Sequence, residues 1–224
     1  MAGAALQGVL RNPLADPFTL GVSGGAAFGA ALAISLGLGS ALGGLGVSLS
    51  AFTGAGAALA AVLLLGSLGA GAENKGRGLE RETLVLAGVV VSAFLAALIA
   101  LLKALDESSV SGIVFWIMGS FQGRGWTEAG LALPGIALGS IVALACSREL
   151  DIMSLGDTTA RGLGLNAGQS RLLLLAAASA VTASCVAVAG IIGFIGLIIP
   201  HLCRLLLGAR HALVLPASAL GGGL

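Results

Sequence analysis

Ser147–Arg171, SRELDIMSLGDTTARGLGLNAGQSR, is a polar island in a very apolar chain. It holds Arg148, Glu149, Asp151, Asp157, Arg161 and Arg171, six of the 21 charged side chains (11 Lys and Arg plus 10 Asp and Glu). The apolar run Ala129–Cys146 precedes it and a longer one, Leu172–Ile199, follows. Ionised groups are costly in hydrocarbon, so this stretch lies in water or against a polar partner. The runs on either side then read as the membrane-embedded part of the molecule.

Composition agrees. The 224 residues are 57% hydrophobic and 9% charged, with a mean hydropathy of +1.06. A soluble domain is about 25% charged, so this chain cannot cover a globular surface with polar groups. Its 37 glycines show no three-residue period, which excludes collagen, and they suit helices that approach closely in a membrane. A net charge of +1 gives no reason to expect nucleic acid as a partner. Cys146, Cys185 and Cys203 lack metal-ligand spacing and read as small buried hydrophobes. With two His and no close Cys/His pairing, neither a metal site nor a cofactor is expected. Met1–Pro17 lacks the basic start and long apolar region of a signal peptide.

Working outward from the island, the uncharged runs Phe18–Leu38, Leu45–Gly69, Thr83–Leu102 and Ala129–Cys146 each read as a span or part-span. Thr83 is a candidate helix cap, and Met1–Leu10 is too short to span and reads as the end of a helix. Arg11–Pro17 is a polar turn, Leu38–Gly46 a Gly/Ser-rich tight turn, and Glu73–Glu82 a solvated loop with six charges. Val110–Phe121 reads as an interfacial or re-entrant piece, with Trp116 and Trp126 at headgroup depth. Leu172–Leu202 has 31 residues without a charge. As one helix it would be about 46 Å long against a core of ~30 Å, so two spans with a tight turn at Gly190–Gly193 are expected. Ala212–Leu224 begins another apolar segment.

If each run crosses once, the basic residues segregate. Arg11, Lys75, Arg77, Arg81, Arg148, Arg161, Arg171, Arg204 and Arg210 fall on one side, nine of the eleven, and only Lys103 and Arg124 on the other. The positive-inside rule places the island in the cytoplasm. A miscount by one crossing would destroy this segregation. The expected fold is therefore all-α, a polytopic transmembrane helical bundle.

Within the island, Asp157 reads as the N-cap of a short helix Thr158–Arg161, stopped by Gly162 and Gly164. Composition leaves open whether this is an ordinary cytoplasmic loop or a docking surface. Pro200, His201 and Arg204 lie at the membrane edge, with His201 and Arg204 three apart on one helix face. They form either a kinked basic helix end or a face that meets the island or its partner. Gly190, Gly193 and Gly196 follow no strand and have no Lys, so close helix packing is a better reading than a phosphate loop. None of the spans contains an Asp, Glu, Lys or Arg, which argues against a proton-driven carrier and for energy supplied from elsewhere.

Five stretches in order resemble a known family: RNPLADPFTLGVSGGAAFG (Arg11–Gly29), LVLAGVVVSA (Leu84–Ala93), FWIMGSFQG (Phe115–Gly123), LGDTTARGLGL (Leu155–Leu165) and GIIGFIGLIIPHLCRLLLGARHALVLPASAL (Gly190–Leu220). They are similar to the FecCD/BtuC-like membrane permease subunits of binding-protein-dependent ABC importers for iron–siderophores, haem and cobalamin. The resemblance implies a fold of about ten helices, of which this chain would hold about seven spans or part-spans in a single permease domain over 1–224. The first helix, most of the second and the tenth would be absent. It implies a bacterial inner membrane, a second permease subunit, two cytoplasmic ABC ATPases and an extracytoplasmic substrate-binding protein.

Matched onto this chain, the ATPase-docking loop is Leu155, Gly156, Asp157, Thr158, Thr159, Ala160, Arg161, Gly162, Leu163, Gly164 and Leu165. Lys103 and Arg124 fall on the binding-protein side. Gly21, Gly24, Gly25, Gly29 and Gly88 would let close-packed helices slide as the pathway switches. The subunit itself carries no catalytic residue; ATP hydrolysis belongs to the partner. The main rival reading is a secondary transporter or channel without an ATPase. A membrane-embedded enzyme ranks last, because His201 and Arg204 have no carboxylate at local spacing.

Overall fold

The computed structural model describes residues 1–41, 45–69 and 81–223. They form an all-helical bundle, with no strand among the described residues. In order the helices are α1 (Ala2–Leu10), α2 (Val22–Ser35), α3 (Leu38–Ala41), α4 (Leu45–Gly69), α5 (Arg81–Leu105), α6 (Val110–Met118), α7 (Trp126–Ala145), α8 (Ser147–Ser154), α9 (Asp157–Gly162), α10 (Ala167–Ala189), α11 (Ile195–Leu207) and α12 (His211–Gly223). Four of them, α4, α5, α7 and α10, are long and apolar enough to cross a membrane. This is the polytopic architecture that the uncharged runs imply.

The helix α10 is the hub. Two-thirds (67%) of its most apolar window is buried, against 28% or less in the other three long helices, and it packs on α7, α4, α1 and α2. The outer faces of α4, α5 and α7 carry exposed Leu, Val and Phe side chains, which suits lipid or a neighbouring subunit.

Phe18–Leu38 does not form one continuous span. Pro17–Leu20 is a 3-10 turn, capped by the Asp16 carboxylate, which accepts the Phe18 N–H at 3.1 Å. Gly21 then turns the chain with φ 75°, a conformation that costs a side-chain-bearing residue most, and α2 runs for only 14 residues. At about 21 Å it is shorter than a ~30 Å core. The uncharged turn expected at Leu38–Gly46 begins as the one-turn helix α3, and Gly46 already belongs to α4; residues 42–44 lie outside the described residues. Residues 73–80 of the charged stretch Glu73–Glu82, with Lys75 and Arg77, also lie outside them. Thr83 is not a cap, because α5 already includes Arg81.

The split of the long uncharged run holds. Helix α10 stops at Ala189, Gly190 takes φ 72°, and α11 starts at Ile195. At that end the segment after α6 is keyed onto α10. The Ser120 N–H donates to the Ala189 carbonyl at 2.8 Å, and a Cβ at Gly119 would sit 2.5 Å from the Ile191 oxygen.

Small residues set the helix spacing. A Cβ at Gly29 would lie 2.0 Å from the Ser50 carbonyl oxygen, and one at Gly25 would lie 2.3 Å from that of Gly54. Helices α2 and α4 therefore touch backbone to backbone. Gly88 does the same for α5, since its Cβ would fall 2.2 Å from the Thr19 oxygen. Gly190 meets Trp116, and Gly196 meets Pro17 and Gly3. Gly24 has looser neighbours, at 3.7 Å or more, and Gly193 faces open space, so the packing expected there is not found. Cys146 is buried as expected, whereas Cys185 is exposed and Cys203 half-buried, because α10 and α11 turn those positions outward.

These contacts generate a stability prediction. Gly29→Ala forces α2 off α4 and costs on the order of 1–3 kcal/mol, as overpacking usually does. Gly56→Ala, with nothing near its Cβ, leaves stability unchanged or raises it. Melting temperatures in detergent separate the two, and equal melting would refute the close-contact argument.

Candidate docking site

Helix α8 is amphipathic and lies along the end of the bundle, with Leu150 and Met153 fully buried beneath it. Its Asp151 reaches α12, where the carboxylate accepts the His211 backbone N–H at 3.0 Å and contacts Nδ1 of the same ring at 2.6 Å. Helix α8 thus joins α7 to α12, across 60 residues of sequence.

Gly156, with φ 117°, turns the chain out of α8 into α9. Asp157 is the first residue of α9 and not its N-cap; Gly156 holds that place and no side chain caps the helix. The Asp157 carboxylate is engaged elsewhere. One oxygen takes Nη2 of Arg81 at 2.5 Å and the other takes Nη2 of Arg171 at 2.8 Å. Arg171 is not a loop residue but lies within α10, 2% exposed. Burial alone would raise the pKa of Asp157. The Arg171 hydrogen bond and the charges of Arg171, Arg81 and Arg161 outweigh it and hold the carboxyl below its ordinary range. The group is ionised throughout neutral pH, and the pairing weakens only as acid protonates it.

The rest of the segment follows from that anchor. Ala160 points inward and is buried. The Leu165 N–H returns to the Ala160 carbonyl at 3.0 Å, and Gly164 closes the turn with φ 81°. The Asn166 side chain caps α10 by accepting the Gln169 N–H at 3.2 Å. Helix α9 therefore runs from Asp157 to Gly162, longer than the expected Thr158–Arg161. Outward it presents Thr158, Thr159, Arg161 and Gly162. Leu155 and Leu163, 64% and 63% exposed, stand on either side. Two exposed leucines on the most polar segment of the chain form a surface with an apolar part and a cationic part.

Pro200, His201 and Arg204 are not brought to this surface. Pro200 is buried inside α11 and His201 is exposed, while Arg204 turns into α1, donating to the Gln7 side chain and, at 3.5 Å, to the Ala4 carbonyl. Lys103 lies at the other end of α5 from Arg81, about 33 Å along the helix axis. Arg124 is exposed in the turn before α7 and lines, with Phe115, Trp116 and Ser48, a cavity of about 340 Å³. The island and the pair Lys103/Arg124 therefore occupy opposite ends of the bundle. Sequence reasoning missed Gln7 and the partners Arg81–Asp157 and Asp151–His211. No local spacing signals a contact between residues 60 or 76 apart; a lone Gln in the apolar run Met1–Leu10 was the one available hint.

Residues 1–224 match the model of the FecCD transport family. An uncharacterised ABC transporter permease protein of Bacillus subtilis strain 168 is 44% identical over 223 residues, which is 99% of this chain and 62% of that protein. A cobalamin import system permease protein of Halobacterium salinarum is 40% identical, over 100% of this chain and 58% of its own length. A solved structure described as an inward-facing metal-chelate type ABC transporter superposes with a TM-score of 0.86 at 35% identity, covering 99% of this chain and 68% of that one. The chain spans about three-fifths of the length of these two curated relatives. With its whole length matched, and with the helical bundle shared, the chain belongs to the FecCD transport family.

Proposed function

We propose that the protein is the membrane-spanning subunit of a binding-protein-dependent ABC importer for a metal chelate, driven by cytoplasmic ATPases that dock on Leu155–Leu165. The observation that carries this reading is the exposed pair Leu155 and Leu163 flanking a short helix that is clamped from behind by Arg81 and Arg171. A plain solvated connector gains nothing from two exposed leucines beside a short helix. A docking surface does, because the partner covers them on assembly. The positive-inside asymmetry of the sequence supports a cytoplasmic position for that end, and a bacterial inner membrane is the setting we take from the family. A second permease subunit completes the pathway against the exposed apolar faces. An extracytoplasmic binding protein meets the opposite end, where Lys103 and Arg124 lie.

In this reading the uncharged spans line a path for a large cargo, and ATP closure of the partners supplies the energy. Cobalamin, Fe(3+)-citrate and hemin appear in the names of relatives between 36% and 40% identical, and all three cargoes contain a chelated metal. The close glycine contacts of α2, α4 and α5 allow those helices to shift as packed units.

Co-purification from detergent tests the docking surface. Leu155→Asp with Leu163→Asp removes the ATPase while the subunit still inserts in the membrane. Retention of the ATPase by this double variant, or its absence from the unmutated complex, sinks the reading in favour of a carrier without one. Arg161→Glu is expected to abolish ATP-coupled uptake at unchanged membrane level, as scored by uptake in cells. At the other end, Lys103→Glu with Arg124→Glu weakens capture of the binding protein, most visibly at low salt, because exposed ion pairs are weak and screened. Binding isotherms at two ionic strengths check it; salt-independent affinity in the unmutated protein counts against it.

A further inference from the structure

Helix α5 is remote from the docking segment in sequence, since Arg81 and Asp157 are 76 residues apart. The backbone of α9 packs against α8 and α10. Its connection to α5 is ionic. The two oxygens of one carboxylate are divided between two helices, Oδ1 holding Arg81 of α5 and Oδ2 holding Arg171 of α10. The Arg81 side chain is 17% exposed and that of Arg171 is 2%, while the Asp157 carboxylate they share is 37% exposed, so the bridge is buried on the arginine side and screened in part from the acid side.

We infer that Arg81 is a positioning residue that makes α5 move with the docking helix, so that a displacement of α9 is delivered to α5 as well as to the flanking helices α7 and α10. The inference rests on the docking reading of Leu155–Leu165 and adds a route to it. A loop linked only to its chain neighbours would pull on α7 through α8 and on α10 directly. The Asp157 bridge recruits a third helix. That helix is suited to carry the motion. It is continuous for 25 residues, about 37 Å, and crosses the bundle to Leu105. It is held along its length by α2, α4 and the Pro17–Leu20 turn. Its outer face carries the exposed side chains Leu86, Val90, Phe94 and Leu105. A shift at Arg81 is therefore carried along one continuous helix, together with the helices packed on its buried face.

Arg81 is the residue to change. Substituting Asp157 would leave the buried Arg171 guanidinium without this carboxylate and threatens folding. The measurement uses the subunit with Cys146, Cys185 and Cys203 replaced by Ser, assembled with its ATPases in proteoliposomes. A single new cysteine is placed at the far end of α5 (Leu105→Cys) or of α7 (Thr127→Cys), both exposed. The maleimide labelling rate is recorded without nucleotide and with MgATP plus vanadate. With Arg81 present, nucleotide changes the rate at both positions. In Arg81→Gln the response at Leu105→Cys is lost and that at Thr127→Cys is kept, and Arg81→Lys restores the first. A response at Leu105→Cys that persists in Arg81→Gln overturns the inference. So does loss of both responses together, which assigns Arg81 to general folding or docking. An unmutated chain that holds no ATPase overturns the docking reading and this inference with it, and is recognised before any labelling begins.

Discussion

Backbone proximity is the constraint from which the rest of the structure follows. In a bilayer, burying apolar side chains against one another gains little over leaving them in lipid, so helices are held by how closely their main chains approach. The contacts of Gly25 with Gly54, Gly29 with Ser50 and Gly88 with Thr19 are of this kind. They fix α2, α4 and α5 as one packed unit. Because the contacts are between backbones, they specify spacing tightly and leave the outer faces of α4 and α5 open to lipid or to another subunit.

The second constraint is that charge is kept to the ends of the helices. The middles of the long helices are uncharged, and among the described residues the ion pairs lie near helix ends, Arg171 in the second turn of α10 included. At one end a single carboxylate, Asp157, organises three elements, and Asp151 ties a fourth through His211. At the other end Ser120 and Gly119 meet the α10–α11 connection through main-chain contacts, beside the packed side chains of Trp116, Ile117 and Ile191. The two ends are thus held by different physics.

How much of this was legible in the sequence depended on whether the signal was local. The polar island, the helical class, the split near Gly190–Gly193 and the family resemblance could all be read, because charge density, run length and ordered motifs are properties of contiguous residues. The candidate docking segment could be outlined at Leu155–Leu165, but the part its acid plays in holding the helices together could not. Asp after Gly suggests a cap, yet Asp157 is captured by arginines from α5 and α10, contacts that no spacing rule encodes. The same holds for Arg204, which faced Gln7 of α1 and not the island. Phe18–Leu38 misled for a different reason. Hydropathy counts residues and does not see the positive φ of Gly21, which breaks an apparently continuous span into a turn and a short helix.

The exposure of Leu155 and Leu163 bears on the life of the protein before it is assembled. A newly inserted copy, correctly folded in the bilayer, still shows two large greasy side chains to water on a rigid platform. Such patches are what chaperones and proteases recognise, and they disappear once covered. The chain thereby carries its own mark of incompleteness. If a partner covers these leucines as proposed, unpaired copies would be the ones open to proteolysis, and subunit stoichiometry could be kept by turnover without separate control of synthesis.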